Sequence, residues 1–271
     1  MTAARKTQML MPARQRARRN VLRSALAGAG AAMLAGCDQL SRNDAFVDVL
    51  KSAEHLSRAA HKVVAPRSAM AQEFDPSRIA PVFRANGTLE PVDADYQALR
   101  QAGFADFRLE VGGLVEKPAS LTLAQLRAMP ARSQITRHDC VEGWSCIGKW
   151  KGAPLAALLA DVKPLPAAKY VVFHCFDSMD TPGPGAPDTR YYESIDLDDA
   201  YHPQTIIAHL LNGEPLPVKN GAPLRLRVER QLGYKHAKYV RAIELVASFA
   251  QLRGGKGGYW EDEGYEWYGG I

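Results

Sequence analysis

Short apolar runs separated by turn-forming residues dominate the chain beyond residue 80. Residues 107–115, 170–176, 205–211, 224–229 and 239–246 are strand-length runs bounded by Gly, Pro or Asn, which predicts β-structure. Helical spacing is rarer. Residues 121–129 fit a short helix with Thr122 as its cap, and 154–159 fit another with Pro154 in the first turn. Scattered strands with few short helices predict an α+β domain built on mixed or antiparallel sheet. Upstream, Phe46, Val49, Leu50, Ala53 and Leu56 recur at helical intervals in an otherwise polar stretch, so 37–80 is expected to be a tether with a short helix. The domain itself is expected over 81–249. The remaining 250–271 is rich in glycine and aromatic residues, and its pattern leaves open a flexible end or a lid.

With 271 residues, 46% of them apolar and 23% charged, the chain can bury one sizeable core, which excludes a disordered polymer and a membrane bundle. The net charge of +5 does not imply a nucleic-acid partner. Seven basic and no acidic residues precede Cys37, so the rest of the chain is net −2. That basic segment ends in Arg18-Arg19 and is followed by a modest apolar stretch over 25–34, shorter than the roughly 18 residues of a membrane span. It has the form of an export signal over 1–36, and a twin arginine marks the bacterial route for proteins that fold before export. Leu34-Ala35-Gly36-Cys37 resembles the lipobox at which lipoproteins are cleaved and acylated. Expected partners are therefore the twin-arginine export machinery and the inner membrane, with a periplasmic domain anchored through a lipid on Cys37.

Cys140, Cys146 and Cys175 lie beyond the anchor, and an odd number rules out a complete disulfide framework. The densest chemistry runs from Ile135 to Cys146 (ITRHDCVEGWSC), where a strand delivers Cys140 into a turn of Glu142, Gly143 and Trp144. Arg137 and His138 stand close enough in sequence to stabilise a thiolate, which suits a nucleophile or a soft-metal ligand. On these residues alone, a buried structural cysteine is the alternative. No C-x-x-C spacing supports zinc, and neither a P-loop nor a strand-borne G-x-G-x-x-G is present.

Several ordered motifs extend this picture. R-x-x-C-V-E-G-W-S at 137–145 precedes W-x-G-x-P-L-x-x-L-L at 150–159. Then follow Asn212-Gly213-Glu214-Pro215-Leu216-Pro217, Asn220-Gly221-Ala222-Pro223-Leu224-Arg225-Leu226, and Leu232-Gly233-Tyr234-Lys235-His236-Ala237-Lys238-Tyr239-Val240. Upstream stands Phe83-Arg84-Ala85-Asn86-Gly87-Thr88. In this order, over residues 81–247, the chain resembles the molybdopterin-binding sulfite oxidase family, in its bacterial exported branch.

The resemblance implies a molybdenum-dependent oxidoreductase with the sulfite-oxidase-type fold, its cofactor molybdenum bound to a pyranopterin dithiolene (molybdopterin). It makes Cys140 the metal ligand and catalytic centre, because a third soft sulfur suits a metal already held by two dithiolene sulfurs. For the pterin and its phosphate it implies Lys235, His236 and Lys238, with Arg84, Asn86 and Gly87 in the early turn and Arg137 beside the metal. Oxygen-atom transfer on a small sulfur-type substrate is the expected reaction. No haem-domain motif is seen, so electrons are expected to pass to or from a separate cytochrome b- or c-type partner. A rival expectation is a non-catalytic exported lipoprotein that keeps the fold as a ligand- or partner-binding module.

Overall fold

The computed structural model describes residues 43–64, 69–179 and 189–271. The export motif, Cys37 and the Pro/Gly-rich stretch 181–188, whose composition is that of a loop, lie outside the described residues. The chain divides into two compact units, residues 1–60 and 61–271. The helical spacing around Phe46 produces α1, Asp44–Val64, most of which belongs to the first unit and whose first turn is capped by Asn43 Oδ1 accepting from the Phe46 amide at 3.1 Å. Among the described residues no helix is long and apolar enough to cross a membrane.

Among the described residues the second unit carries ten strands: β1 Arg108–Gly113, β2 Ala119–Thr122, β3 Arg132–Cys140, β4 Trp144–Pro154, β5 Tyr170–Ser178, β6 Arg190–Asp196, β7 Ile206–Leu211, β8 Glu214–Pro215, β9 Arg225–Arg227 and β10 Val240–Val246. They form two mixed or antiparallel sheets. One runs β2-β1-β10-β5-β6, with β1 and β10 its parallel pair; the other runs β3-β4-β7-β8, with β9 added on β7. Short helices fill the connections: α2 Ala94–Gln101, α3 Leu123–Ala128, α4 Leu155–Val162, α5 Leu197–Ala200 and α6 Tyr259–Asp262. This is the α+β architecture the pattern predicts.

Each predicted strand is present within a residue or two of its expected limits. The helix expected at 121–129 is α3, and Thr122 closes a capping box with Gln125, satisfying two amides that the helix cannot bond internally. In α4, Leu155, Leu158, Leu159 and Val162 recur at three- and four-residue steps and are all buried, joining Leu109 and Val111 of β1, Phe173 of β5 and Ile243 of β10 in the main core. A second core surrounds Trp150, whose indole meets the Phe83 ring edge-on at 4.9 Å.

Beyond the five predicted runs and the strand that ends at Cys140, the structure adds β2, β6, β8 and, longest of them, β4. Its inward positions Cys146, Gly148, Trp150 and Gly152 alternate with outward Lys149 and Lys151, yet the two glycines look like turn signals. Packing requires them. A Cβ on Gly152 would lie 2.0 Å from the Ile207 carbonyl oxygen, so only glycine lets β4 approach β7 there.

Two stretches are held by contacts that local composition does not show. Residues 69–80, expected in the tether, lie against β3 and β4: Phe74 donates to the Ile135 carbonyl at 2.9 Å and Ala80 to that of Ile147 at 3.0 Å. The tail is likewise held down, with Leu232 donating to the Gly269 carbonyl at 2.7 Å and Ile271 to that of Arg230 at 3.0 Å. Backbone bonds to an ordered neighbour decide both cases, and neither is visible in local composition.

Candidate functional site

Strand β3 decides which side chains reach the interior. Alternate residues of a strand share a face, and Gln134, Thr136 and His138 are all buried, so Cys140 projects from that same inward face. Arg137 and Asp139 occupy the other face, where they form an ion pair at 2.8 Å. The hairpin to β4 turns through Val141, Glu142 and Gly143, and Gly143 adopts φ +83°, a left-handed conformation that glycine takes without strain. This leaves the Cys140 thiol half-buried at a strand end.

Cys140 opens into a cavity with about 180 Å³ of space accessible to water-sized molecules. Its walls come from four separate parts of the second unit: the turn with Asn86, Gly87 and Thr88; the β3–β4 hairpin; Asp177 and Met179 at the end of β5; and the Gly233–Lys238 bend with His236 and Lys238. Trp260 and Tyr265 of the tail complete it. Gly233 permits the bend to pass the β3 hairpin, because a Cβ there would sit 2.7 Å from the His138 ring.

Positive charge is concentrated behind these walls. Arg225 and Arg227 are fully buried, and their guanidinium carbons lie 5.3 and 4.4 Å from the centre of the Trp150 ring. Arg227 is neutralised by a two-pronged bond to Glu229 at 2.9 and 2.6 Å. Arg225 has only neutral partners, the Asn220 carbonyl at 3.1 Å and Asn86 Oδ1 at 3.4 Å, and its Nε is without a partner among the described residues. Burial, reinforced by neighbouring Arg227, brings its pKa down to about 9. Lys238 directs its ammonium at the carbonyls of Asn86 (2.6 Å), Thr88 and Lys219 (3.3 Å), tying the early turn to the bend. Burial and then Arg225 bring its pKa down to about 7.

Two buried histidines stay neutral beside this cluster. Arg227 is always a donor, so its bond to His138 Nδ1 at 3.0 Å assigns the ring proton to Nε2. His236 bonds to the Gln231 carbonyl at 3.0 Å, which assigns its proton to Nε2 and leaves Nδ1 as an acceptor without a partner. Burial holds both well below the usual histidine range. Asp177 Oδ1 is also buried without a partner, and burial pushes its carboxyl up to about 6. Orphaned acceptors beside uncompensated cations, all around one cavity, fit a polar ligand that carries both hydrogen-bond donors and negative charge.

The expected site residues divide by where the strand and bend place them. Cys140, Asn86, Gly87, His236 and Lys238 converge on the cavity. Arg84 lies on the outer side of Trp144, its guanidinium carbon 4.9 Å from the ring centre. Arg137 is on the exposed face of β3. Lys235 is fully buried and gripped by Glu193 and by Glu261, the latter at 2.5 Å, so its ammonium is already occupied by two carboxylates rather than free for a phosphate.

The thiolate environment also differs from the expected one. Burial pushes the Cys140 thiol up; the Glu142 backbone amide opposes this, and the cations that help are Arg225 and Arg84, not Arg137 or His138. Asp177, Arg225, Arg227 and the tail aromatics were not singled out in the sequence. A pair of arginines two apart in the apolar strand 224–229 was the available signal, since one of its faces must bury both charges or expose both.

A pH dependence follows. In the absence of a bound anion, the folded chain releases the Lys238 proton near pH 7, whereas an unfolded chain holds it to about 10.5. The unfolded state then binds more protons at this lysine, so the contribution of Lys238 to stability rises from pH 7 to 9, on the order of 2 kcal/mol. The raised Asp177 acts between about pH 4 and 6, outside this window. Burial raises Tyr96 and Tyr239 above their usual value, which reverses the trend above pH 10. Glu193, which burial raises, acts in the opposite sense, so the check is the difference between wild type and Lys238→Met: in thermal unfolding across pH 6–9 the wild-type midpoint should gain on that of the variant as pH rises, and a constant gap contradicts the buried ammonium.

Comparison with known proteins gives these observations a context. Residues 96–251 match the family described as oxidoreductase molybdopterin binding domain. A protein of Azospira oryzae, whose provisional name is protein-methionine-sulfoxide reductase subunit YedZ1, is 42% identical over 201 residues, covering 73% of this chain and 70% of that protein. Protein-methionine-sulfoxide reductase catalytic subunits MsrP are also similar. The one from Xanthomonas axonopodis is 38% identical over 154 residues, 55% of this chain and 48% of that one; the one from Gluconobacter oxydans is 42% identical over 147 residues, 51% of this chain and 46% of that one. The chain thus spans about half the length of these MsrP relatives. Among solved structures, the sulfane dehydrogenase SoxCD of Paracoccus pantotrophus aligns with a TM-score of 0.48 at 23% identity, covering 55% of this chain and 40% of that one.

Proposed function

Because the chain belongs to the oxidoreductase molybdopterin-binding domain family, we propose that it is the catalytic subunit of a sulfoxide reductase that draws its electrons from a separate cytochrome-type protein. The family brings molybdenum with molybdopterin as the cofactor, and the residues present suit it. The observation that carries the reading is the single thiol of Cys140 at a strand end, opening into a cavity whose uncompensated cations and orphaned acceptors call for an anionic, donor-rich ligand. The names of the relatives favour a sulfoxide over sulfite as substrate.

Cys140 would hold the metal as a thiolate, and a bound cation at its sulfur would reverse the upward push that burial exerts on the thiol. Lys238, Arg225, His236, Asn86 and Gly87 would hold the pterin and its phosphate. When bound, the molybdenum centre supplies two-electron oxygen-atom transfer. In the net reaction the sulfur–oxygen bond breaks, two electrons and two protons are taken up, the oxygen leaves as water and a thioether remains. Asp177, a buried carboxyl that keeps its proton up to about pH 6, lines the same cavity and can carry one of those protons. The same reading places the domain in the periplasm, exported folded by the twin-arginine route and retained at the inner membrane by a lipid on Cys37.

Expression with an intact cofactor pathway tests this. The chain should carry close to one molybdenum and reduce methionine sulfoxide with a reduced viologen dye as donor. A metal-free chain, or a loaded chain inert towards sulfoxides, would overturn the assignment. Loss of membrane retention in Cys37→Ala checks the anchor.

A further inference from the structure

The family match ends at residue 251, yet two of the cavity's walls come from beyond it. Trp260 and Tyr265 stack on each other with ring centres 5.2 Å apart, and the Tyr234 ring meets Tyr265 edge-on at 5.4 Å. Neither tail ring lies loosely. The helix α6 that carries Trp260 also carries Glu261, buried against Lys235 at 2.5 Å, and Asp262, which accepts from the Tyr192 hydroxyl at 2.5 Å. Further along, Trp267 Nε1 donates to Ser194 Oγ at 2.8 Å, and the Tyr234 hydroxyl donates to the Glu266 carbonyl at 2.7 Å. Lys235 joins this arrangement to the cofactor side, because its neighbours Tyr234 and His236 both line the cavity.

The cavity therefore combines two chemistries. Cys140, His236, Lys238 and Asp177 offer charge and hydrogen bonds. Trp260, Tyr265, Tyr234 and Met179 offer aromatic and thioether surface. An oxyanion such as sulfite gains nothing from the second set, whereas a sulfur bearing alkyl arms gains sulfur–aromatic and apolar contact.

We propose that the C-terminal segment is a fixed specificity wall, in which the stacked Trp260 and Tyr265 select a methionine-type sulfoxide, with a long alkyl arm on sulfur, over small sulfur oxides that lack one. This rests on the sulfoxide-reductase reading above. Trp260 and Tyr265 act by binding the substrate's arms, and Lys235, Glu193 and Glu261 are positioning residues that hold the wall in place.

The test uses the full-length, molybdenum-loaded protein and the variants Trp260→Ala, Tyr265→Ala and Trp260→Phe. For N-acetylmethionine sulfoxide relative to dimethyl sulfoxide, the ratio of kcat/KM should fall about tenfold in each alanine variant, through KM, and recover largely in the phenylalanine variant. Molybdenum content should match the wild type. Equal losses on both substrates, or an unchanged ratio, would overturn the wall. If the loaded wild type reduces neither compound, the sulfoxide-reductase reading has failed instead. The wall is then judged by tryptophan fluorescence on titration with N-acetylmethionine sulfoxide, where a response that persists undiminished in Trp260→Ala rejects it.

Discussion

Cys140→Ala is expected to leave a folded chain with turnover reduced by roughly a thousandfold or more, and with molybdenum lost or bound substoichiometrically. The fold should tolerate the change because the thiol is half-buried at the turn end of a hairpin whose register is fixed by nine paired positions of β3 and β4. Removing one sulfur there creates little cavity, so the thermal midpoint of the metal-free chain should shift by only a degree or two. Cys146 and Cys175 provide the controls. Cys146 is buried beside the second core and Cys175 is buried in β5, so alanine at either should lower stability by about 1–2 kcal/mol while sparing metal content. A Cys140→Ala chain that keeps full molybdenum and full turnover would remove the central chemical assignment.

Lys235→Met should be the most destabilising single change near the site. Its ammonium is fully buried between Glu193 and Glu261, and removing it leaves two carboxylates facing each other without a counter-charge. Breaking a buried ion pair by deleting one partner costs about 3–5 kcal/mol. At this chain length that is a fall of roughly 10 °C in the unfolding midpoint. Burial and the neighbouring Glu261 already push the Glu193 carboxyl well up. A carboxyl raised in the folded state favours folding at low pH and loses that contribution as pH rises, so the Lys235→Met deficit should shrink in mild acid and be full at neutral pH. Adding Glu193→Gln and Glu261→Gln to the variant should restore much of the loss. The measurement belongs on the metal-free chain. A lysine that served only a cofactor phosphate would leave that midpoint unchanged, so an unmoved midpoint would return Lys235 to the role its motif first suggested.

Lys235 and Lys238 show how similar sequence positions part company in three dimensions. Both stand in one short motif with a histidine between them, and as sequence they are equivalent candidates for an anion. The short 3-10 turn at Gly233–Lys235 sends Lys235 under the tail, where Glu261 waits, while Lys238 emerges against the carbonyls of Asn86 and Thr88. Arg137 was lost for an equally simple reason. It is three residues from Cys140, an odd number, and strand alternation sends it to the opposite face. A strand ending at Cys140 is legible in the sequence, and its period of two, applied strictly, excludes Arg137 and keeps His138 on the face of the cysteine.

The sequence by itself determined five of the strands and the one that ends at Cys140, the short helices α3 and α4, the α+β class and the identity of the cysteine at the end of β3, because these depend on local periodicity, turn and cap chemistry and short motifs. It also contained the ordered motifs through which the family was recognisable. Tertiary structure alone decided which cations remain uncompensated, which ammonium is consumed by carboxylates, and that a glycine-rich tail forms part of the cavity. Those outcomes turn on partners tens to more than a hundred residues away, as when Lys238 meets Asn86 or Arg227 meets His138. Charge compensation and burial are properties of the assembled neighbourhood, and no local window of sequence specifies them.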